Sequence, residues 1–145
     1  MRAPREIQKL IEGSDPLLNS GVALYDRIVT ALDLSDLDLD GLDLAVLSME
    51  QEGALVWSEE GAFGLARALV EAGARTVVFT SSRVEDLTTI EFMKVFYTRL
   101  SHGLSILDAL REAALIARSN EPGPHYWAHF TVHGRASTLG SAATR

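Results

Sequence analysis

"LSMEQEGALVWSEEGAFGLARALVEAGARTVVF", Leu47 to Phe79, is the stretch that decides the fold. Its first residues close "LDLAVLS", Leu42 to Ser48, a nearly continuous apolar run that suits a strand covered on both faces. A helix is predicted from about Ala62 to Ala72, with Phe63, Ala66 and Val70 on one face and Gly73 as its stop. "RTVVFTS" then reads as a second buried strand. Strand, turn, loop, helix and strand in that order predict a parallel pair with a helical crossover. A sharp turn after the first strand of such a unit is a common seat for a nucleophile. Here the turn offers Met49, Glu50, Gln51 and Glu52.

Working outward, "PREIQKLIEG" suits a short helix that starts near Pro4 and stops at Gly13. "GVALYD" is a strand candidate, and "TALDLSDL" a helical turn capped by Thr30. Downstream, "DLTTIEFMKVFYTRL" is a strongly amphipathic helix with Ile90, Met93, Phe96, Tyr97 and Leu100 expected inward, ended by Gly103. Ser105 and Asp108 resemble a capping box for a helix that turns Leu107, Leu110, Ala114 and Ala117 inward. "NEPGP" breaks the pattern, and "YWAHFTV" alternates as a strand does.

The 145 residues, 47% hydrophobic, suffice for one compact domain. The domain is expected over residues 14–134, after an N-terminal helix or extension over 1–13 and before a flexible tail over 135–145. Without cysteine there is no disulfide, thiolate zinc site or thiol catalysis. A net charge of −7 argues against a nucleic-acid surface and against anionic membranes. The start has no apolar core of a secretory signal, and no run approaches the roughly 20 residues of a spanning helix. A cytoplasmic setting is compatible with these features.

From roughly Asp15 to Gly134 the chain resembles the C-terminal part of a CHAT domain, a caspase-like cysteine peptidase module. The matches run in order: Leu47, Ser48 and Gly53; Glu60 and Gly61; Gly64 to Ala68; Ala72 to Arg75. They continue through Val84, Asp86, Thr89, Met93, Phe96, Tyr97, Leu100, Ala109 to Arg111, and Tyr126, Trp127 and Phe130. The resemblance implies a caspase-like three-layer α/β sandwich with a mostly parallel sheet, shortened at its N-terminus. It also implies a protein partner or self-association, because family members often sit beside helical repeats. It implies no cofactor.

The departures from the family decide the expected function. The family's nucleophilic Cys falls on Glu50, and the Trp before its Val-Asp-Asp motif becomes Ser82. The family's catalytic His belongs to a segment expected ahead of "DPLLNSG", where the residues present include no His. Amide cleavage by this fold needs a thiolate, an imidazole base and oxyanion donors. A carboxylate at position 50 is a weaker nucleophile and puts negative charge where an oxyanion would form. The reading is therefore a catalytically inactive, pseudopeptidase-like binding or regulatory domain; a chain completed by a partner is the alternative. Ser48, Glu50, Gly53, Ser82 and Asp86 are the candidate remnants of the old pocket and turn, and Trp57 a candidate partner contact. Asp86 has a second explanation as a helix cap.

Two metal-like patterns are weaker than they look. "DLDLDG", Asp36 to Gly41, imitates the start of a calcium loop, but the twelfth position is Leu47. His125, His129 and His133 recur every four residues, which on a strand sets neighbours about 13 Å apart. "HFTVHG" also imitates a catalytic His-Gly segment, but follows the Glu50 turn instead of preceding it.

Overall fold

The computed structural model describes residues 20–24, 26–48, 59–81, 86–135 and 138–140. The elements are β1 (Gly21–Ala23), β2 (Ile28–Thr30), α1 (Ala31–Ser35), β3 (Ala45–Leu47), α2 (Glu59–Glu71), β4 (Thr76–Thr80), α3 (Asp86–Ser101), α4 (Ile106–Asn120), α5 (Pro124–Trp127) and β5 (Phe130–Gly134). The proposed helix near Pro4 and the expected segment over 135–145, except Arg135 and Thr138 to Gly140, lie outside the described residues.

The parallel crossover read from the sequence is present. β3 pairs parallel with β4, Ala45 opposite Val77 and Leu47 opposite Phe79, and α2 joins them. β4 is buried at all five positions, as a central strand covered on both faces should be. Val77 and Phe79 pack with Ala62, Ala66 and Leu69 of α2. Val78 packs on the other face with Phe92 and Phe96 of α3 and Ile106 and Ala109 of α4. The sheet thus lies between α2 and the α3–α4 pair.

The sheet is mixed, which corrects the expectation of a mostly parallel one. β5 pairs antiparallel with β4, Thr76 opposite Gly134 and Thr80 opposite Phe130. The reason is the number of helices in the connection. One helix between β3 and β4 returns the chain to the amino end of the sheet. Two antiparallel helices, α3 and α4, carry it from the carboxyl end of β4 and back, so β5 enters against β4. A separate antiparallel hairpin, β1 with β2, stands beside α1.

Helix boundaries follow the residues that signal them. Thr30 caps α1: its hydroxyl accepts from Asp33 N, and the Asp33 carboxylate accepts from Thr30 N at 2.8 Å. The Thr30 N–H, and the Thr30 hydroxyl that donates to the same carboxylate at 2.7 Å, hold the exposed Asp33 carboxyl below its usual pKa. α2 and α3 both end on left-handed glycines, Gly73 at φ 116° and Gly103 at φ 86°. The N–H of Ala74 reaches Leu69 O at 3.0 Å, and that of Leu104 reaches Arg99 O at 3.2 Å, closing both helices in the same six-residue turn. Ser105 caps α4, accepting from Asp108 N at 3.1 Å, while its hydroxyl donates to the Asp108 carboxylate at 2.6 Å.

The inward faces match the predicted ones in part: Ala66, Phe96 and Leu100 are buried, and Val70, Met93, Leu110, Ala114 and Ala117 pack against the core. In α2 the buried residues include Leu65 and Leu69, while Phe63 is exposed and meets His133 edge-on at 5.0 Å. In α3 Phe92, Phe96 and Leu100 are buried, whereas Ile90 and Tyr97 are about half exposed, 49% and 50%. In α4 Ile106, Ala109 and Ala113 are buried and Leu107 is exposed. α3 carries overlapping apolar stripes, and the sheet and the neighbouring helix select between them.

The last segment also departs from its predicted strand. Tyr126 and Trp127 belong to α5, and the strand begins at Phe130. Pro124 at the first helical position fixes the dihedral a helix needs, and Ala128 N closes the turn on Pro124 O at 2.8 Å.

Candidate functional site

The parallel strands β3 and β4 both point their carboxyl ends at one edge of the sheet, where open α/β sheets bind ligands. Ser48 follows β3 there and is exposed. Ser81 follows β4. Asp86 opens α3. The other sequence-predicted positions, Glu50, Gly53, Trp57 and Ser82, lie outside the described residues, as does the Asp86 side chain.

His129 arrives at the same edge on the segment that enters β5. Its carbonyl accepts from Ser81 N at 2.7 Å and from Ser81 Oγ at 3.1 Å, extending the β4–β5 ladder. The ring is 1% exposed and lies among aromatics, 5.7 Å from Phe92 and 4.6 Å from Phe130 between centroids. Among the described residues neither ring nitrogen has a hydrogen-bond partner. Burial lowers its pKa below the ordinary histidine value; the His125 carbonyl pulls weakly the other way without reaching hydrogen-bond geometry. The Ser81 hydroxyl is bonded to the His129 carbonyl and neither ring nitrogen reaches it, so among the described residues the serine and histidine form no nucleophile–base pair.

The three spaced histidines do not converge. His125 is exposed on α5 and stacks near Tyr126 at 4.1 Å, His129 is in the aromatic cluster, and His133 rests against Phe63 on the other face. Among the described residues no group of three or more His, Asp or Glu side chains is placed to hold a metal, the Asp36–Asp40 turn included.

Sequence reasoning missed a depression at this edge. A groove of about 290 Å³ lies between the first half of α3 and the last turns of α4. Phe92, Val95, Ala113 and Ala117 make its floor, and Tyr126 of α5 closes one end. Glu91 and Glu121 stand among its lining residues. The signal was present: alanines at 113 and 117 leave room between two helices, and Leu87, 79% exposed, is apolar where a helix start needs no apolar group. At the groove's floor, Phe92 also contacts the His129 ring.

The opposite, amino edge of the sheet is held by charge. Arg75 Nη1 lies 2.6 Å from Asp43 Oδ1, and Asp43 Oδ2 accepts from Gly140 N at 2.8 Å. No helix among the described residues is long and apolar enough to cross a membrane.

Residues 9–135 match the sequence profile of the CHAT domain. The chain is also similar to tetratricopeptide repeat protein 28 of Mus musculus, 33% identical over 123 residues. The Homo sapiens protein of the same name is 32% identical over 123 residues. Each alignment covers 83% of this chain and 5% of the relative, so the chain spans about one-twentieth of the length of these proteins.

Proposed function

The chain belongs to the CHAT domain family, and from that premise we propose that it is a catalytically inactive, pseudopeptidase-like domain that binds or regulates another protein. The observation that carries the reading is Glu50, a carboxylate at the position of the family's nucleophilic cysteine, in a chain that has no cysteine at all. A carboxylate at that turn repels the oxyanion that acyl transfer must stabilise. The buried ring of His129, beside the carboxyl end of β4, supports the reading further, since among the described residues neither of its nitrogens has a hydrogen-bond partner. A caspase-like arrangement accords with helices on both faces of a β3-β4-β5 sheet.

The relatives are named for tetratricopeptide repeats. A domain that accompanies such repeats is well placed to act in protein assembly, and that supports a protein partner. The net charge of −7 speaks against nucleic acid. The proposed setting is cytoplasmic. Glu50, Gly53, Ser48, Ser82 and Asp86 are then the remodelled remnant of the family's cleft, and Trp57 an anchor for the partner.

The test is an assay of the purified chain against a mixed peptide library, read by mass spectrometry. The expected result is intact peptides for the wild type and for Glu50→Ala alike. Cleavage by the wild type that disappears in Glu50→Ala overturns the proposal.

A second reading, a domain completed by a partner, rests on β3. Among the described residues β3 pairs with β4 alone, and its three positions are half-buried where those of β4 are buried. Light scattering with a thermal melt separates the readings. A monomer that melts cooperatively favours the stand-alone module. A dimer, or a chain without a sharp transition, favours completion by a partner.

A further inference from the structure

We infer that the groove between α3 and α4 is a docking site for an amphipathic helix of a protein partner, with bulky apolar side chains flanked by Lys or Arg. This rests on the non-catalytic binding reading and gives it a surface.

The shape comes first. Ala113 and Ala117 on α4 face Phe92 and Val95 on α3, so small side chains oppose large ones and leave a hollow of about 290 Å³. Val95, Thr98 and Ile116, with the cations Lys94 and Arg99, line a second depression of about 220 Å³ further along the same seam; Lys94 is paired with Glu91 and Arg99 with Glu112, at 2.7 and 2.6 Å. From Thr88 to Thr98 the seam follows α3 for about 15 Å at 1.5 Å per residue. That is an elongated track, apolar and edged by carboxylates at its deeper end and edged by ion-paired cations at the other, which fits the side-chain row of a helix better than a compact small molecule.

Charge selects the partner. The ionisable residues lining the deeper end are Glu91 and Glu121, both carboxylates, and no cation lines it. Lys94 does meet Glu91 at 2.7 Å, but both side chains are largely exposed, 65% and 73%, so water screens that pair and a second cation can share the carboxylate. The chain as a whole carries −7, which draws a cationic segment toward it before contact. Leu87, 79% exposed at the mouth, adds apolar area that a bound helix covers.

The probe is a fluorescein-labelled helix of about 15 residues with leucines at helical spacing and lysines elsewhere. Its counterpart carries glutamates in place of the lysines. Binding is read by anisotropy on the full chain, and the contact surface by amide shifts of the nitrogen-15-labelled chain. The expected result is that the leucine–lysine peptide binds and moves the amides of Phe92, Val95, Ala117 and Tyr126. The double variant Glu91→Lys/Glu121→Lys, at exposed positions that leave the core alone, should weaken that peptide at least about tenfold and admit the glutamate peptide. A melt checks that the variant is folded. Shifts that map elsewhere, equal affinity of the charge-reversed variant, or a groove covered by a second copy of this chain each overturn the assignment. Peptide bound in the groove and cut overturns the non-catalytic reading instead and leaves the groove standing.

Discussion

Arg75 and Asp43 fasten the amino edge of the sheet: the guanidinium of the residue before β4 lies 2.6 Å from the carboxylate of the loop before β3. The pair is more than two-thirds buried, 29% and 22% exposed. The backbone around it is drawn together as well. Arg75 N donates to Leu42 O at 2.9 Å, Arg135 N donates to Arg75 O at 2.8 Å, and Thr76 Oγ1 donates to Arg135 O. All three strands of the sheet are therefore tied at one corner. Asp43→Ala leaves the guanidinium without this partner and Gly140 N without its acceptor. The expected loss is about 1–2 kcal/mol, read as a lower denaturation midpoint in urea with an unchanged slope. An unaltered midpoint means that water replaces the pair at no cost.

Much of the fold was legible because it is written in local chemistry. Thr30, Gly73, Gly103 and Ser105 mark helix ends by capping rules that need no tertiary information. β4 is legible because "TVVFT" has no polar face to expose beyond its threonines. The inward face of α3 was not legible. Ile90, Met93, Phe96, Tyr97 and Leu100 make one stripe, and Phe92, Val95, Phe96 and Leu100 another that overlaps it. Both satisfy helical spacing, and only contact with β4 and α4 chooses the second. The direction of β5 was likewise hidden, since it depends on how two helices return the chain rather than on the residues of the strand. At the candidate site, the reading of Glu50 rests on the sequence alone, because that residue lies outside the described ones, while the groove needed α3 and α4 side by side.

That choice of face has a direct consequence for neighbouring residues. Phe96 is 0% exposed in the cluster under Val78, and Tyr97, its ring 5.3 Å away, is half exposed. Phe96→Ala should cost about 3–5 kcal/mol, the usual range for emptying a phenylalanine site. Tyr97→Ala should cost about 1 kcal/mol or less, as an exposed substitution does. Paired urea titrations check this. Equal losses would show that Tyr97 is covered, as the periodicity alone predicts.

Gly134 ends β5 with φ 107°, opposite Thr76. A Cβ there would run into the carbonyl of Arg75 and meet Thr76 Cα at 3.1 Å. Backbone blocks it, and backbone in a paired strand does not step aside. Gly41 also has a positive φ, 91°, but a Cβ there meets nothing within 4 Å. The two positions separate conformational strain from collision. Gly41→Ala should cost about 1 kcal/mol, the left-handed penalty alone, and Gly134→Ala clearly more. Thermal melts of both variants decide it; equal shifts would show that β5 gives way at its end.

His129 makes the chain sensitive to acid. Its ring is buried against Phe92 and Phe130, and burial holds its folded-state pKa below the ordinary value of about 6.5 that it has when unfolded. Between those two values the unfolded chain binds the proton and the folded chain does not. Stability from this residue is therefore full above about pH 6.5, falls as the pH drops through that value, and levels off only below the folded-state pKa. His129→Phe keeps an aromatic ring in the cluster and removes the titration. Melts of the two proteins across about pH 8 to 5 should run parallel above 6.5, with the wild type falling away faster below it. Curves that stay parallel through the acid range would show that folding does not lower the His129 pKa, and the burial argument fails.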